Sequence, residues 1–459
     1  MIQIKNLIGG SFVIPTECFD DISPLDSSVI AQIPRTRDIE AAVNAAALAQ
    51  PAWGGLTIAE RCDWLDKIAD SLESKIEELA HLESLDTGKP HEVALNIDAE
   101  RSINNFRFFA KFGRTMKEET FEMKDAMNYV MRKPIGIVGL ISPWNLPLYL
   151  LSWKIAPALL MGNSIIAKPS EITPLTAHFL GLVCTEIGLP DGVLNIVHGY
   201  GPEIGQAIVE HPKIKAISFT GGTATGKIVA ATAAPMFKKL SLELGGKNAS
   251  IILDDADLDI AVPGVLRASF LNSGQICLCG SRVLVHASIY DEFMSRYLSE
   301  LESFEIGPVI NEEHRSKIMS YIELAKEEGG EILAGGKIPD KPGSWIEPTV
   351  VAGLSHKSRT ATEEIFGPVV TIHKFDSDEE AIEIANCTDY GLAGSVWSKN
   401  RGREIAEKID SGMVWVNTWL HRDLRVPFGG VKDSGVGREG GMWSIGFFSE
   451  AVNICVIED

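Results

Sequence analysis

Cysteine is scarce in this chain of 459 residues, which holds seven: Cys18, Cys62, Cys184, Cys277, Cys279, Cys387 and Cys455. An odd, scattered set behind no apolar leader argues against a disulfide framework and fits a reducing cytoplasm. The opening MIQIKNLIGG is too polar, and too short in its apolar part, for a signal peptide. Long hydrophobic runs are missing too. The most apolar stretch, LPLYLLSWKIAPALLMGNSIIAKPS, is broken by Trp153-Lys154, Pro157 and Gly162-Asn163. It reads as a buried helix followed by a strand, not as a membrane span. Positive charge is in deficit: 42 Lys and Arg against 62 Asp and Glu give a formal charge of −20. No block of Lys and Arg compensates, which excludes an extended nucleic-acid face. An acidic protein that takes an anionic substrate needs local arginines to reverse its field. No internal repeat and no low-complexity segment occurs.

What is present points to an α/β protein of two or three domains. Helical patterns cover about 39–89 and 96–111, and YVMRKPIGIVGLIS then runs extended to a turn at Pro143. From there strands and helices alternate: NSIIAKPS, TPLTAHFLGLVCTEIG, GVLNIVHG, GPEIGQAIVEHP, KAISFTGG, TATGKIVAATAAP, KKLSLELGG. Repeated βα units with apolar strands imply a parallel sheet covered on both faces. A second α/β set begins at NASIILDD and continues to about 444, with helices expected at 259–273, 289–304 and 312–328. The closing NICVIED reads as a strand free to pair with another subunit.

Two loops suggest a dinucleotide. SFTGGTATG (218–226) is a strand, a glycine turn and a helix start, but Gly221 and Gly226 do not make the usual GxGxxG spacing. A helix N-terminus behind glycines can hold a phosphate, although a plain βα turn has the same appearance. AKPSE (167–171) follows an earlier strand, where Lys168 could bond a ribose hydroxyl. Glu171 would accept from a ribose 2′-OH and repel a 2′-phosphate, favouring NAD over NADP. Taken singly, each is equally an ordinary loop charge.

The stretch SFLNSGQICLCGSR (269–282) holds two of the cysteines one residue apart. No further Cys or His follows at ligand spacing, so a structural metal site is not expected. Small and polar residues before Cys277 leave backbone N–H groups free, as an oxyanion site requires. A thiol attacking a carbonyl also needs an oxyanion donor and a base for hydrolysis. SPWNLP (142–147) offers the Asn145 carboxamide and LELGGK (242–247) offers Glu243 beside two glycines. Blind, Asn145 reads equally as a turn former and Glu243 as a solvated strand end.

Seven motifs occur together: PWNLP, KPSE, FTGGTATG, LELGGKN, GQIC, EEIFGPV and PFGGVKDSGVGRE. In order and separation they resemble the aldehyde dehydrogenase superfamily over essentially the whole chain. The resemblance implies Cys277 as nucleophile, Asn145 with the Cys277 N–H as oxyanion donors, and Glu243 as the base that hydrolyses the thioester. Lys168 and Glu171 would hold the adenosine ribose, Gly221, Gly222 and Gly226 the pyrophosphate turn, and Ser170 and Gly201 would belong to the same cofactor site. Glu364 and Phe366 would face the nicotinamide ribose, with Ile141, Trp144, Phe219, Thr220, Leu244 and Gly245 completing the NAD site. A hydrolytic Glu243 disfavours the CoA-dependent, acylating branch. Cys279 would pack behind the nucleophile, with a reversible disulfide to Cys277 as the other option. The implied fold has a Rossmann-like coenzyme domain (1–116 and 135–245), a catalytic domain (246–444) and an arm (117–134 and 445–459) that joins subunits into a dimer or a dimer-of-dimers tetramer.

ERSINNFRFFA (100–110), ISPWNLPLYLLSWKIAPAL (141–159), ICLCGSR (276–282) and VNTWLHRDLRVPFGG (416–430) resemble one branch, the 2-aminomuconic and 2-hydroxymuconic semialdehyde dehydrogenases. That branch implies an aldehyde carrying a remote carboxylate, gripped by Arg101 and Arg422. Leu146, which stands where the family commonly has Phe, would shape the wall with Trp153, Cys279 and Phe428. Asp423 competes for Arg422, and Arg425 is the substitute. Betaine or amino-aldehyde and succinic semialdehyde dehydrogenases are the alternatives, Tyr149, Trp153 and Trp419 leaving room for a quaternary ammonium. An inactive structural relative is the remaining one. The chain also lacks the customary long loop before Gly307-Pro308.

Overall fold

The structure is a computed structural model that describes residues 1–457. Glu458 and Asp459, the end of the expected terminal strand, lie outside the described residues.

Two α/β sheets carry the molecule. The first takes its strands in the order Gly435–Val436, Lys239–Glu243, Ile214–Thr220, Ile137–Ile141, Ser164–Lys168, Leu194–Ile196, Asn6–Ile8, Ser11–Val13. Its central strands run parallel, and Ile137–Ile141 and Ser164–Lys168 are buried at every residue. Burial on both faces explains why they read as apolar runs without alternation. Register matters more than order here. Phe219 pairs Ile141, Ile141 pairs Lys168, and Thr220 pairs Glu243. The C-terminal ends of adjacent strands thus bring candidate residues to one edge, where open α/β sheets bind ligands.

The second sheet follows the order Glu331–Ala334, Thr349–Ala352, Val369–Phe375, Arg282–His286, Ala249–Ile252, Ala393–Trp397, Met413–Val416, parallel except at its Glu331–Ala334 edge. A third sheet forms the arm: Ser449–Ile457 pairs antiparallel with Ala126–Pro134, which pairs with Glu119–Glu122. No helix among the described residues is long and apolar enough to cross a membrane. The interrupted apolar stretch forms the helix Pro147–Leu160, buried along its whole length.

The structure departs from the sequence expectations at three places. The helix expected over 259–273 is α-helical only for Leu258–Phe270, because Asn272 and Ser273 turn left-handed (φ 54° and 57°). The helix expected from 96 begins as a π-helical turn, Ala94–Ala99, before Glu100–Thr115. Gly435–Val436, assigned by the expected division to the catalytic domain, pairs with Lys239–Glu243 and extends the first sheet. A two-residue strand carries no periodicity to read, so only the tertiary fold could place it.

Candidate active site

Cys277 lies between the helix Leu258–Phe270 and the strand Arg282–His286, on a loop held from several sides. Asn248 Nδ2 donates to the carbonyls of Cys277 (2.7 Å) and Cys279 (2.9 Å). The Gln275 carbonyl accepts from Asn145 Nδ2 (2.8 Å), and its side chain receives Ile310 N–H (2.9 Å). Gly274, at φ 70°, lies so close to the Gly367 carbonyl that a Cβ there would collide with it. Only glycine tolerates that backbone without strain. Asn145 is therefore fixed beside the thiol loop, with one amide hydrogen used and the other uncommitted. Its own carbonyl accepts from Lys89 Nζ and from Asn272 Nδ2, each at 3.2 Å.

Burial pushes the Cys277 thiol far above its usual range, and the negative charges of Glu364 and Glu243 add to this, while Arg422 opposes them. Glu243 is 3% exposed, and neither carboxylate oxygen has a hydrogen-bond partner. Burial first, then the nearby Glu439 charge, raises its pKa well above the carboxylate norm, against Lys154, Arg438 and Arg422. A Cβ at Gly429 would stand 2.6 Å from Glu243 Oε1, so the glycine leaves the carboxylate its space. An unpaired buried carboxylate with a raised pKa holds a proton more readily than an ordinary carboxylate, the property a general base requires. Cys279 is buried behind, with its Sγ 3.9 Å from the Leu271 carbonyl and its pKa pushed up to about 12 by burial. Both cysteines are free thiols.

A cleft of about 770 Å³ opens along the edge of the first sheet. Of the expected cofactor residues, Ile141, Trp144, Lys168, Ser170, Glu171, Gly201, Phe219, Thr220, Gly221 and Gly222 line it. Lys168 Nζ donates to Glu171 (2.5 Å), whose other oxygen accepts from Gly201 N–H (3.2 Å). Burial disfavours the Glu171 charge, yet the ion pair wins and holds its pKa below the ordinary value. A second hollow of about 230 Å³ adjoins it, lined by Asn145, Leu244, Gly245, Cys277, Glu364 and Phe366 among others. The Glu364 carboxylate accepts from Gly246 N–H (2.8 Å) and would collide with any Cβ at Gly245. Gly226 does not line either hollow; it packs under Leu244, leaving no room for a Cβ.

The larger cleft has the size of a ligand site. The helix Thr223–Ala233 begins there with no side-chain cap, and nothing lies within 4 Å of a Cβ placed on Gly222. Uncapped N–H donors over open space suit a pyrophosphate. The donor set therefore fits a dinucleotide, and Glu171 lines the same cleft.

On the other side of Cys277 lies an apolar wall. Leu146, Tyr149, Leu150, Trp419 and Phe428 pack in one cluster with Cys277 and Cys279. Arg422 Nη1 donates to Tyr149 Oη (2.5 Å), and its guanidinium carbon stands 4.2 Å from the Phe428 ring centre and 5.2 Å from that of Trp153. Arg101 stands 5.6 Å over the Tyr149 ring. Asp423 is taken by Arg425, not by Arg422.

The geometry of thiol, carboxamide and carboxylate beside a dinucleotide cleft agrees with a family comparison. The aldehyde dehydrogenase family model matches residues 13–454.

The chain belongs to the aldehyde dehydrogenase family.

It is an NAD-dependent aldehyde dehydrogenase that works through a cysteine intermediate. It is similar to a 2-aminomuconic 6-semialdehyde dehydrogenase of Pseudomonas sp. (45% identical, 99% of this chain and 98% of the relative). It is similar as well to a 2-hydroxymuconic semialdehyde dehydrogenase of Pseudomonas sp. strain CF600 (43%, 99% and 100%). A solved NAD+ complex of an aldehyde dehydrogenase from Bacillus cereus superimposes with a TM-score of 0.97 at 39% identity, covering 100% of this chain and 97% of that one.

Several residues of this aldehyde dehydrogenase site carry no sequence signal. His314 and Lys317, on the helix Glu312–Glu327, line both hollows. His314 Nε2 lies 2.6 Å from the Phe366 carbonyl, and burial drops its pKa to about 4. EEHRSKIM looks like any solvated helix, and only packing brings it to the cleft. Lys89 was equally invisible. It reaches Asn145 from a buried nest where Asp98 lies 2.9 Å and Glu83 3.5 Å away.

Proposed function

We propose that this aldehyde dehydrogenase oxidises 2-hydroxymuconate or 2-aminomuconate semialdehyde to the dicarboxylate. The observation that carries the substrate is the state of Arg101 and Arg422. Among the described residues neither has a carboxylate within ion-pair distance, although the protein is strongly acidic. Both sit on aromatic rings of the wall beside Cys277, where a guanidinium can grip a carboxylate at two points. The same stacking weighs against a betaine-type aldehyde. A quaternary ammonium needs open aromatic faces, and arginines cover those of Tyr149 and Trp153. The two relatives named for muconic semialdehydes support the same reading.

In this reading the carboxylate docks on Arg101 and Arg422, and the wall of Leu146, Trp153 and Phe428 directs the aldehyde carbon to Cys277. Cys277 gives its proton to solvent water and its sulfur bonds the carbonyl carbon while the C=O electron pair moves to oxygen, forming a thiohemiacetal oxyanion. The free amide hydrogen of Asn145 and the Cys277 N–H receive the oxyanion, a donor worth about 10²–10³-fold in rate. Lys168, Glu171 and the uncapped Thr223–Ala233 helix would hold NAD, with Trp144, Glu364 and Phe366 toward its nicotinamide end. NAD, when bound, would supply the hydride acceptor; loss of hydride from the thiohemiacetal carbon leaves that carbon bonded to Cys277 as a thioester. Glu243 then takes a proton from water, whose oxygen bonds the thioester carbon; the C–S bond breaks, the acid leaves, and the thiol is restored.

The test is NADH formation at matched concentrations of 2-hydroxymuconate semialdehyde, betaine aldehyde and succinate semialdehyde, for the native protein, Arg101→Ala and Arg422→Ala. The expected result is a strong preference for the muconate compound, lost in both variants. Preference for betaine aldehyde, indifferent to both arginines, removes this substrate while leaving the thiol chemistry intact.

A further inference from the structure

A third arginine joins the wall. Arg267 lies in the last turn of the helix Leu258–Phe270, and its guanidinium carbon stands 5.5 Å from the Trp419 ring centre. Trp419 belongs to the apolar cluster of Cys277, and its Nε1 donates to the Leu278 carbonyl (2.9 Å) on the nucleophile loop. The helix that carries Arg267 leads directly into that loop. Arg267 is exposed, so it stands at the rim while Trp419 is buried beneath it.

Its charge is uncompensated. Among the described residues, Arg267 has no carboxylate within ion-pair distance, as is true of Arg101 and Arg422. Most other arginines do have one: Arg35, Arg37, Arg107, Arg114, Arg296 and Arg401 are each ion-paired. Arg101 is close enough for its charge to weaken proton binding at Arg267, an effect second only to partial burial. Like charges gathered without counter-ions cost stability in the free protein. In a molecule of net charge −20, arginines without carboxylate partners are the groups that would attract an approaching anion.

We propose that Arg267 is an anion-capturing residue at the rim of the substrate wall, taking the carboxylate of an incoming aldehyde before Arg101 and Arg422 receive it. The proposal rests on the anionic substrate argued above and adds where that substrate is first held. Its plain alternative is that Arg267 only complements the C-terminal end of its helix dipole.

The experiment compares kcat/KM for 2-hydroxymuconate semialdehyde with that for neutral benzaldehyde, at low and high ionic strength. The proteins are the native enzyme, Arg267→Ala, Arg267→Lys and Arg267→Glu. At low ionic strength the anionic-to-neutral ratio is expected to fall about tenfold in Arg267→Ala and further in Arg267→Glu, with Arg267→Lys retaining most of it. The salt dependence of the anionic substrate should flatten in step. An equal loss for both aldehydes would mean a helix-end role and overturn the proposal. So would a native preference for the anion, salt-sensitive, that Arg267→Ala leaves unchanged, although the anionic substrate would then stand. A native enzyme with no preference for the anion overturns both.

Discussion

Glu243 keeps two buried carboxylate oxygens without a donor. Such a group is unfavourable in a folded protein, typically by about 1–3 kcal/mol or more for a charged atom. Its folded pKa is raised, so the unfolded chain releases the proton first as pH rises. Stability from this residue is therefore fullest below the unfolded value and declines as pH climbs towards the folded one. Catalysis runs the other way, because a base must be deprotonated. Glu243→Gln is expected to leave one rapid equivalent of NADH per site, followed by turnover slowed about 10²–10⁴-fold. The native steady-state rate should rise with pH along a limb above the ordinary carboxylate range, and Gln should abolish that limb. Rapid-mixing absorbance across a pH series checks both; no burst would mean that Glu243 acts at or before thiol attack. The two glycines that follow it make the residue visible in sequence, but the Glu439 charge that helps raise its pKa and the Gly429 backbone that leaves it space lie nearly two hundred residues away in the chain.

At the scale of elements, the loop after the helix Ile76–Thr87 joins stability to the site. Gly88 closes that helix in the left-handed region (φ 72°), and a Cβ there would press on Pro24 and Pro308. The next residue, Lys89, sends its side chain between Glu83 and Asp98, all three nearly inaccessible to water. Burial, then the Asp98 charge, lifts Glu83 to about 8, with Lys89 opposing. Removing the cation strands two buried carboxyls, so Lys89→Met should cost about 3–5 kcal/mol in denaturant unfolding. It also removes the bond to the Asn145 carbonyl. The kcat should fall more than the KM for NAD changes, since Asn145 loses support while the cleft does not. A stable variant with full kcat would show that the nest does not position Asn145. Helices of this kind were legible from their periodicity; their ends were not. The α-helix ending at Phe270 shows why: Asn272 and Ser273 leave helical geometry because the thiol loop is tied to Asn145, Asn248 and Ile310, partners no local window contains.

For the whole molecule, the arm is the feature whose purpose lies outside one chain. Ser449–Ile457 and Ala126–Pro134 pair along their full length, and Phe121, Met131, Ile454, Val456 and Ile457 are exposed on this small sheet. Apolar side chains displayed on a thin sheet fit subunit contact better than solvent. A chain ending at Phe448 should form a smaller assembly in light scattering, and the bared edge of Ala126–Pro134 should make it prone to aggregate. An unchanged assembly would show that the arm does not join subunits. The sequence by itself determined the α/β class and the buried parallel strands, and it singled out Cys277, Asn145, Glu243 and Glu171 as candidates for the site. Each of these depends on residue type within a short window, which local sterics and burial periodicity make readable. Only the tertiary structure decided that Gly435–Val436 joins the first sheet, that His314 and Lys317 reach the cleft, and that Asp423 pairs with Arg425, leaving Arg422 without a carboxylate partner among the described residues. Those outcomes depend on distances between remote segments. Such distances are fixed when apolar faces pack together, and no pattern within either segment records them.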